Sequence, residues 1–260
     1  MAQPIVPWIG GKRRLAAVLL DRLPAHTCYV EPFCGAAALF FSKAERSKAE
    51  VLNDINGDLI RLYRCLQHHL EEFVRQFKWA LVSREMFEWT RATPPDTLTD
   101  IQRAARFYYL QKLSFGGKVE GQTFGTSTTA PARLNLLRIE EELSAAHVRL
   151  AGVTVEQLPW QDCLRRYDRP HTLFFMDPPY WQTAGYGAPF GWDQYEQLAE
   201  TLGQLKGGAI MTINDHPDVR RCFQAFQSER VDISYQVGGG HKAVRRHELI
   251  VYSWDRQAGA

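Results

Sequence analysis

The segment LFFMDPPYW places a carboxylate, two prolines and an aromatic ring directly after an apolar run. The run, residues 173–176, predicts a buried strand of a parallel sheet. Pro178 and Pro179 cannot donate ladder hydrogen bonds, so the strand is expected to stop at Asp177. Ligands of open α/β sheets bind beyond the carboxyl ends of strands, so Asp177, the Pro178 carbonyl and the Tyr180 ring are expected to share one crevice. The alternative is a plain turn that covers an edge of the core.

Three further acidic residues follow predicted strands, at Glu31, Asp54 and Asp162. The carboxyl ends of parallel strands meet at one edge of a sheet, so these acids and Asp177 are expected to face the same crevice. Four acids gathered there are difficult to explain by packing alone. Asp54 in particular is placed where an acid can accept hydrogen bonds from both hydroxyls of a ribose. Its alternative role is to cap the helix that follows.

The loop EPFCGAAA, which begins at Glu31, consists mainly of small residues. Such residues let the backbone approach a ligand closely where a strand turns into a helix. The dinucleotide fingerprint G-x-G-x-x-G is absent, and Gly35 is the only glycine of the loop. The loop therefore favours a nucleoside without phosphates over a nicotinamide dinucleotide, with a plain tight turn as the alternative.

Alternating strand and helix patterns predict an α/β fold with a doubly wound, mostly parallel sheet. The predicted elements are a helix over residues 12–22, a strand ending near Glu31, a helix from Ala36, a strand ending at Asp54, a helix from Gly57, the strand before Asp177, a helix over residues 194–205 and the strand AIMTIND. The last two strands, VDISYQV and ELIVYSW, have no helix between them and predict an antiparallel hairpin at the sheet edge. The basic loop that joins them is predicted to be an exposed tip, with contact to a nucleic-acid backbone as the alternative for His241, Lys242, Arg245 and Arg246.

Residues 61–113 differ in character, because aromatic and basic residues mix in a helical pattern that breaks at Pro94 and Pro95. They predict an inserted helical subdomain. Residues 114–131, rich in Gly, Ser and Thr, form a long loop of the kind that is usually functional or disordered. Residues 61–118 carry ten Lys and Arg against six Asp and Glu, which suggests nucleic acid, although solvated charge is the commoner meaning.

The composition of the 260 residues is that of a soluble globular protein with net charge +2. The five cysteines are odd in number and contain no C-x-x-C pair, so neither zinc nor dithiol chemistry is expected and free thiols in a reducing cytosol are predicted. No signal peptide opens the chain, and its apolar stretches are too short to span a bilayer. The residues predict no metal and no membrane partner, and they give no indication of oligomeric state.

Taken together and in order, these motifs resemble the Dam-type DNA adenine-N6 methyltransferases, the D12 class, in the alpha-group arrangement with a target-recognition insert between cofactor and catalytic halves. PWIGGKRRL resembles the family's N-terminal cofactor motif, YVEPFCGAAALFF its glycine motif and LNDIN its ribose-binding acid. WQDCL resembles the segment that contacts the cofactor adenine, DPPY the catalytic signature, and FGGKVEGQTFGTS the DNA-contacting hairpin. The resemblance covers nearly the whole chain.

The resemblance implies a Rossmann-like catalytic domain of residues 1–60 and 150–260, and a target-recognition insert of residues 61–149 with a hairpin near 114–128. It implies S-adenosylmethionine as cofactor, with S-adenosylhomocysteine as product, bound by Trp8, Lys12, Glu31, Phe33, Gly35, Asp54, Asp162 and Asp177. The catalytic residues would be Asp177, Pro178 and Tyr180. The DNA-binding residues would be Arg103, Arg106, Lys112 and Lys118. Ala36 and Ala37 replace glycines common in the family, Cys163 stands where an aromatic is frequent, and the hairpin is divergent.

The activity implied is methylation of the N6 amino group of an adenine flipped out of double-stranded DNA, in a bacterial or phage-encoded cytoplasmic protein with a possible cognate restriction endonuclease. Residues 180–192 would close over the base. Methylation of cytosine N4, of RNA or of a protein amide is the alternative, although Asp177 before Pro-Pro-Tyr favours adenine. The other alternative is a nucleic-acid-binding relative without catalysis.

Overall fold

A single seven-stranded sheet organises the computed structural model, which describes residues 2–183, 189–236 and 243–255, without the side chains of 233–236 and 243–246. The strands are β1 (Cys28–Glu31), β2 (Ala49–Asn53), β3 (Thr154–Glu156), β4 (Thr172–Met176), β5 (Gly208–Asn214), β6 (Gln227–Gln236) and β7 (Ala243–Tyr252). Their order is β3-β2-β1-β4-β5-β7-β6. Strands β1 to β5 are parallel, and β7 is antiparallel to both β5 and β6. The predicted mostly parallel sheet with a closing antiparallel hairpin is confirmed.

Ten α-helices connect and cover the strands in the described residues. They are α1 (Ala16–Leu20), α2 (Ala38–Ser42), α3 (Gly57–His68), α4 (Leu70–Arg75), α5 (Arg84–Ala92), α6 (Asp100–Leu113), α7 (Ile139–Leu150), α8 (Trp160–Tyr167), α9 (Trp192–Gln204) and α10 (Pro217–Cys222). Short 3-10 helices lie at Lys12–Arg14, Pro95–Thr97 and Phe115–Gly117. Within the described part of the chain, no helix is both long and apolar enough to cross a bilayer.

Two predicted helix boundaries in the first 60 residues need correction. The helix predicted over residues 12–22 is a 3-10 turn followed by the short α1. Helix α2 begins at Ala38 rather than Ala36, because Ala37 adopts a left-handed φ of 51° that the helix cannot include. Helix α3 does begin at Gly57, but its cap is the Asn56 side chain, which accepts hydrogen bonds from two backbone N–H groups. The side chain that caps α3 is therefore that of Asn56 and not that of Asp54.

The insert between β2 and β3 consists of helices α3 to α7 and shares its hydrophobic core with the sheet. Apolar side chains of α3 and α6 belong to the same buried cluster as residues of β1, β4 and β5. The boundary predicted at residue 61 lies inside α3, so no break in the backbone marks the start of the insert. The predicted break at Pro94 and Pro95 is confirmed, since α5 ends at Ala92.

Residues 114–125 fold back on themselves and pack against the N-terminal segment. Ser114 bridges Phe124, and the Phe115 amide donates to the Thr123 carbonyl at 2.9 Å. The side-chain amide of Gln111 donates to the carbonyls of both Pro7 and Gly117 at 2.8 Å. The N-terminal motif and the predicted hairpin are thereby joined beside the carboxyl end of the sheet.

Candidate active site

A cavity of about 340 Å³ lies along the carboxyl ends of the central strands, where ligands of open α/β sheets bind. Its lining includes Asp177 after β4, Glu31 at the end of β1, Gly35 and Asp54 in the loops after β1 and β2, and residues 158–161 after β3. Trp8, Lys12, Phe33, Pro179, Phe190 and Gln194 also line it. Seven of the eight predicted cofactor-binding residues are thus brought together.

Asp177 is held at the end of β4 by two donors. Lys12 Nζ lies 2.7 Å from its Oδ1, and the Thr212 hydroxyl donates to the same oxygen at 3.0 Å. Lys12 is buried, donates to the Gly10 carbonyl at 2.6 Å and lies 3.9 Å from Glu248 Oε2. Both donors use Oδ1, and the second oxygen of Asp177 accepts no hydrogen bond from the described residues, so it can bind a ligand. Lys12 therefore belongs to the cluster around the predicted catalytic acid.

The pKa of Asp177 is raised to about 6, mainly by burial and also by the Glu248 carboxylate, against the opposing effects of the Lys12 ammonium and the Thr212 hydroxyl. A carboxyl group with this pKa is ionised at neutral pH. Asp177 can therefore act as a hydrogen-bond acceptor whose charge Lys12 compensates.

The Pro-Pro-Tyr segment leaves the sheet as predicted, but its parts lie differently around the cavity. Pro179 lines the cavity, whereas Pro178 and Tyr180 lie beside the lining. The Tyr180 ring is 9% exposed and lies 4.5 Å from Lys12 Nζ, a cation–π contact. The Tyr195 hydroxyl donates to the Pro179 carbonyl, which fixes the segment from the other side.

Aromatic residues anchor both ends of the segment predicted to close over a ligand. Trp181 exchanges hydrogen bonds with the Asn214 side chain, and its ring centroid lies 4.9 Å from that of Trp192. Phe190 packs on Tyr195 at 5.1 Å. Residues 184–188, the centre of the predicted closing segment, lie outside the described residues. So do His241 and Lys242 and the side chains of Arg245 and Arg246 in the C-terminal basic cluster.

Glu31 is buried between the cavity and the core. Its Oε1 accepts hydrogen bonds from the Tyr29 hydroxyl at 2.7 Å and from the Phe40 amide at 2.9 Å. Burial raises the pKa of Glu31 to about 8, although these two donors and the Lys43 ammonium oppose the shift. The Glu31 carboxyl group is therefore neutral at pH 7 in the ligand-free protein.

This neutral carboxyl group predicts a pH dependence of stability. Between its ordinary pKa of 4.5 and its pKa of about 8 in the folded state, the folded protein holds a proton that the unfolded chain releases. Stability must then fall as pH rises through this window. Relative to a Glu31→Gln variant, the wild type should lose about 2 to 4 kcal/mol of unfolding free energy between pH 5 and pH 9. Urea unfolding of both proteins checks this, and a constant difference would contradict it.

A side chain at position 35 would strain the loop after β1. Gly35 has a φ of 46°, and a Cβ there would lie 2.6 Å from Trp8 Nε1. Its amide donates to Asp54 Oδ2 at 2.9 Å, while the Asn56 amide donates to Asp54 Oδ1 at 2.9 Å. Asp54 thus connects the loops that follow β1 and β2, and its burial raises its pKa.

At the far end of the cavity, Phe33 packs against Phe190 and Trp160, with centroid separations of 5.8 and 6.2 Å. Trp160 Nε1 and Gln161 Nε2 both donate to Gln194 Oε1. Sequence reasoning missed Trp160, Gln161 and Gln194 as lining residues. The first two lie in the segment WQDCL, directly before its acid.

The placement of Asp162 in the crevice is wrong. Strand β3 ends at Glu156, Pro159 precedes α8, and Asp162 therefore lies in the first turn of that helix. Its side chain is 45% exposed and forms an ion pair with Arg165, outside the cavity lining. The acids that gather at the cavity among the described residues are Glu31, Asp54 and Asp177.

Three of the four residues assigned to DNA instead hold the insert together. Arg103 forms ion pairs with Asp58 at 2.5 Å and Asp96 at 2.7 Å. Arg106 donates to the backbone carbonyls of Thr90, Arg91 and Thr93. Lys112 is mostly buried, lies 3.5 Å from Glu142 and contacts the Tyr108 ring. Only Lys118 of the four is exposed.

Thr212 and Asn214 are further site residues that sequence reasoning missed. Both belong to β5, which pairs with β4 so that Met211 lies opposite Met176. Thr212 is therefore level with Asp177, and Asn214 reaches Trp181. The available signal was polar side chains in the otherwise apolar strand AIMTIND.

Comparison with known proteins identifies the family to which the chain belongs. The sequence model of the D12 class N6 adenine-specific DNA methyltransferases matches residues 8–234. The Type II methyltransferase M.CviBI of Paramecium bursaria Chlorella virus NC1A is 24% identical over 90% of this chain and 91% of its own length. The DNA adenine methylase of Salmonella typhi is 26% identical over 87% of this chain and 84% of its own. That of Escherichia coli (strain K12) is 32% identical over 42% of this chain and 40% of its own.

The matched range includes the cavity-lining residues, which lie between Trp8 and Gln194 in the sequence. Within the described residues, no group of three or more His, Cys, Asp and Glu side chains is placed to hold a metal ion. The chain belongs to the D12 class N6 adenine-specific DNA methyltransferases.

Proposed function

We propose that Asp177 and the backbone carbonyl of Pro178 accept the two amino hydrogens of the target adenine, while the adjoining cavity binds S-adenosylmethionine. One observation carries this assignment: a charge-compensated carboxylate is fixed at a strand end beside a cavity of about 340 Å³. A cavity of this size lies in the range of small-molecule sites.

The residues of the cavity fit the cofactor that the family uses. Trp8 and Phe33 provide aromatic walls, and the missing side chain at Gly35 leaves space that a Cβ would fill. Asp54 offers carboxylate oxygens suited to ribose hydroxyls, and the Asp177 carboxylate suits the positive charge of the methionine half. The neutral carboxyl group of Glu31 would lose its proton more readily with such a charge beside it, because an opposite charge lowers the pKa of a carboxyl group. S-adenosylmethionine supplies, when bound, an electrophilic methyl group.

The two acceptors solve the chemical problem posed by an exocyclic amine. The lone pair of adenine N6 is delocalised into the ring, so the nitrogen is a poor nucleophile. Asp177 and the Pro178 carbonyl, by accepting both hydrogens, draw the nitrogen toward a tetrahedral shape and direct its lone pair out of the ring plane. They also stabilise the positive charge that develops on nitrogen, by about 3 to 4 kcal/mol per group in comparable sites. Fixed orientation contributes about 7 to 11 kcal/mol more.

The base must leave the duplex to reach Asp177, which costs a few kcal/mol. Tyr180 is next to the acceptors, and its ring is already held by Lys12. Stacking of the extruded adenine on this ring would return about 1 to 3 kcal/mol. We therefore retain Tyr180 as the residue that receives the base.

The insert would bind the DNA duplex through its exposed surface rather than through the arginines of α6. Lys118 lies in the hairpin that packs against Trp8, so a bound phosphate there would be close to the cavity. Each lysine or arginine that neutralises a phosphate contributes about 0.9 to the slope of log affinity against log salt.

Two alanine variants separate these roles. Lys118→Ala should reduce the salt slope of DNA binding by about 0.9. Arg103→Ala should leave the slope unchanged and lower the unfolding free energy by about 1 kcal/mol, because it removes contacts to Asp58 and Asp96. Fluorescence anisotropy at several salt concentrations and urea unfolding measure the two effects. A reduced salt slope in Arg103→Ala with an unchanged slope in Lys118→Ala would show that Arg103, and not Lys118, contacts DNA.

A role in restriction and modification is supported by the relative named a Type II methyltransferase. Under this proposal the protein methylates one short sequence in the cytoplasm and a cognate endonuclease cuts that sequence when it is unmodified. Protection of methylated plasmid from digestion by a lysate of the source cell tests the pairing.

Mass analysis of nucleosides tests the chemistry. DNA incubated with the protein and S-adenosylmethionine should yield N6-methyl-2′-deoxyadenosine after digestion to nucleosides. N4-methylcytosine or methylated RNA would support the alternative substrates. Calorimetry with S-adenosylhomocysteine separates an enzyme from a relative that has lost catalysis. Such a relative would bind DNA but would not bind S-adenosylhomocysteine.

A further inference from the structure

A second carboxylate lies close to the Lys12–Asp177 pair and has no role in the proposed function. Glu248 is buried in β7, where it pairs with Asn214 of β5. Directly opposite residues of antiparallel strands project to the same face of the sheet, and so do residues two apart in one strand. Glu248 therefore shares the face from which Thr212 donates to Asp177.

Two carboxylates compete for one ammonium group in this buried cluster. Lys12 Nζ lies 2.7 Å from Asp177 Oδ1 and 3.9 Å from Glu248 Oε2, and the Lys12 and Glu248 side chains are each 2% exposed. The Gly10 carbonyl, at 2.6 Å, and the Tyr180 ring, at 4.5 Å, also contact the ammonium. Solvent screens buried charges little, so each carboxylate weakens the attraction of the ammonium to the other.

The charged and titratable groups that act on Asp177 in the described part of the chain come from several elements. Burial raises the pKa of Asp177 most, Lys12 of the N-terminal 3-10 helix lowers it, and Glu248 of β7 raises it. Glu31, at the end of β1, also interacts with Asp177. Burial raises the pKa of Glu31 to about 8, so this carboxyl group stays neutral while Asp177 titrates near pH 6. Tyr180 contacts Lys12 through its ring.

We propose that Glu248 is a positioning residue for methyl transfer. It attracts the Lys12 ammonium in competition with Asp177 and thereby leaves the Asp177 carboxylate a stronger acceptor for the amino group of the target adenine. The inference rests on the proposed role of Asp177. A carboxylate that is less neutralised by its cation accepts a hydrogen bond more strongly but is ionised over a narrower pH range. Glu248 thus balances the strength of the acceptor against its protonation.

The pH profile of methyl transfer tests the inference. Glu248→Gln should move the rising limb of kcat/KM to lower pH, by about 0.5 to 2 pH units, because a neighbouring negative charge is removed. The plateau at high pH should fall by about 2- to 12-fold, the range of one modest hydrogen bond. Asp232→Asn, at an exposed carboxylate of β6 that pairs with His247, is the matched control and should leave the profile unchanged.

A double variant keeps the inference testable if Glu248→Gln does not fold. Lys12→Met removes the cation that lies between two buried carboxylates and should move the limb to higher pH. The further change Glu248→Gln removes the repulsion between these carboxylates. The double variant should therefore have its limb at lower pH than Lys12→Met, and it should unfold at a higher urea concentration.

The direction of the shift distinguishes this role from a structural one, since a distorted site would lower the plateau without moving the limb to lower pH. A limb that stays in place or moves to higher pH would overturn the inference, in Glu248→Gln against the wild type or in the double variant against Lys12→Met. So would an equal shift in Asp232→Asn. Wild-type turnover in Asp177→Asn would instead overturn the proposed function, and the inference with it.

Discussion

Replacement of Asp177 by asparagine is expected to lower kcat by about 10²- to 10³-fold, the effect of removing one electrostatic stabiliser from a preorganised site. The amide keeps the shape of the carboxyl group but loses the charge that offsets the developing positive charge on N6. It also leaves Lys12, 3.9 Å from Glu248, without its nearer partner. Single-turnover methylation of a DNA duplex under saturating cofactor measures the chemical step.

The control for this prediction is Thr212→Val, which removes the neutral hydroxyl that donates to Asp177 but leaves the charge. Its effect should be smaller by at least about tenfold, since a neutral hydrogen bond contributes about 1 kcal/mol. Binding of S-adenosylhomocysteine should survive in both variants. Turnover of Asp177→Asn within about threefold of the wild type would remove Asp177 from the mechanism.

Replacement of Lys12 by methionine is expected to impair both catalysis and stability. In the wild type, kcat/KM should rise with pH through about 6 as Asp177 loses its proton. Removal of the ammonium group raises the pKa of Asp177 further, so more of the carboxyl is protonated at pH 7 and the rising limb moves to higher pH. Activity lost at pH 7 should then be partly recovered at pH 9. A pH profile of kcat/KM for both proteins measures the shift.

The stability effect of Lys12→Met has the same origin. Loss of one partner from a buried ion pair costs about 3 to 5 kcal/mol when the other charge remains. Below pH 6 Asp177 takes up a proton and the cost should shrink, so the variant should be least stable relative to the wild type at high pH. Lys206→Met, at an exposed lysine, is the matched control. An unshifted pH limb with normal stability would show that Lys12 does not govern Asp177.

The catalytic end of the site could be predicted from sequence because covalent geometry determines it. An apolar run that meets two prolines must end as a strand, and an acid before the prolines must lie at the sheet edge. Gly35 and Asp54 follow neighbouring strands in the same way, and the structure brings both to the cavity. In each case the site residue lies within a few residues of a strand whose end can be recognised in the sequence.

What the sequence did not predict is contacts between segments far apart in the chain. Arg103 pairs with Asp58, 45 residues away, and Lys12 pairs with Asp177 across the sheet. No local pattern identifies such partners, so the sequence did not reveal that Arg103 contacts acids of the insert or that Lys12 contacts Asp177. Asp162 shows a smaller failure, because the exact end of β3 and the start of α8 decide whether it faces the cavity.

A structure of the protein with S-adenosylhomocysteine and a DNA duplex that contains the target sequence tests the account most directly. The account predicts an extruded adenine whose N6 lies about 2.7 to 3.2 Å from both an Asp177 carboxylate oxygen and the Pro178 carbonyl oxygen. An adenine that remains stacked in the duplex, or an N6 directed away from Asp177, would contradict it.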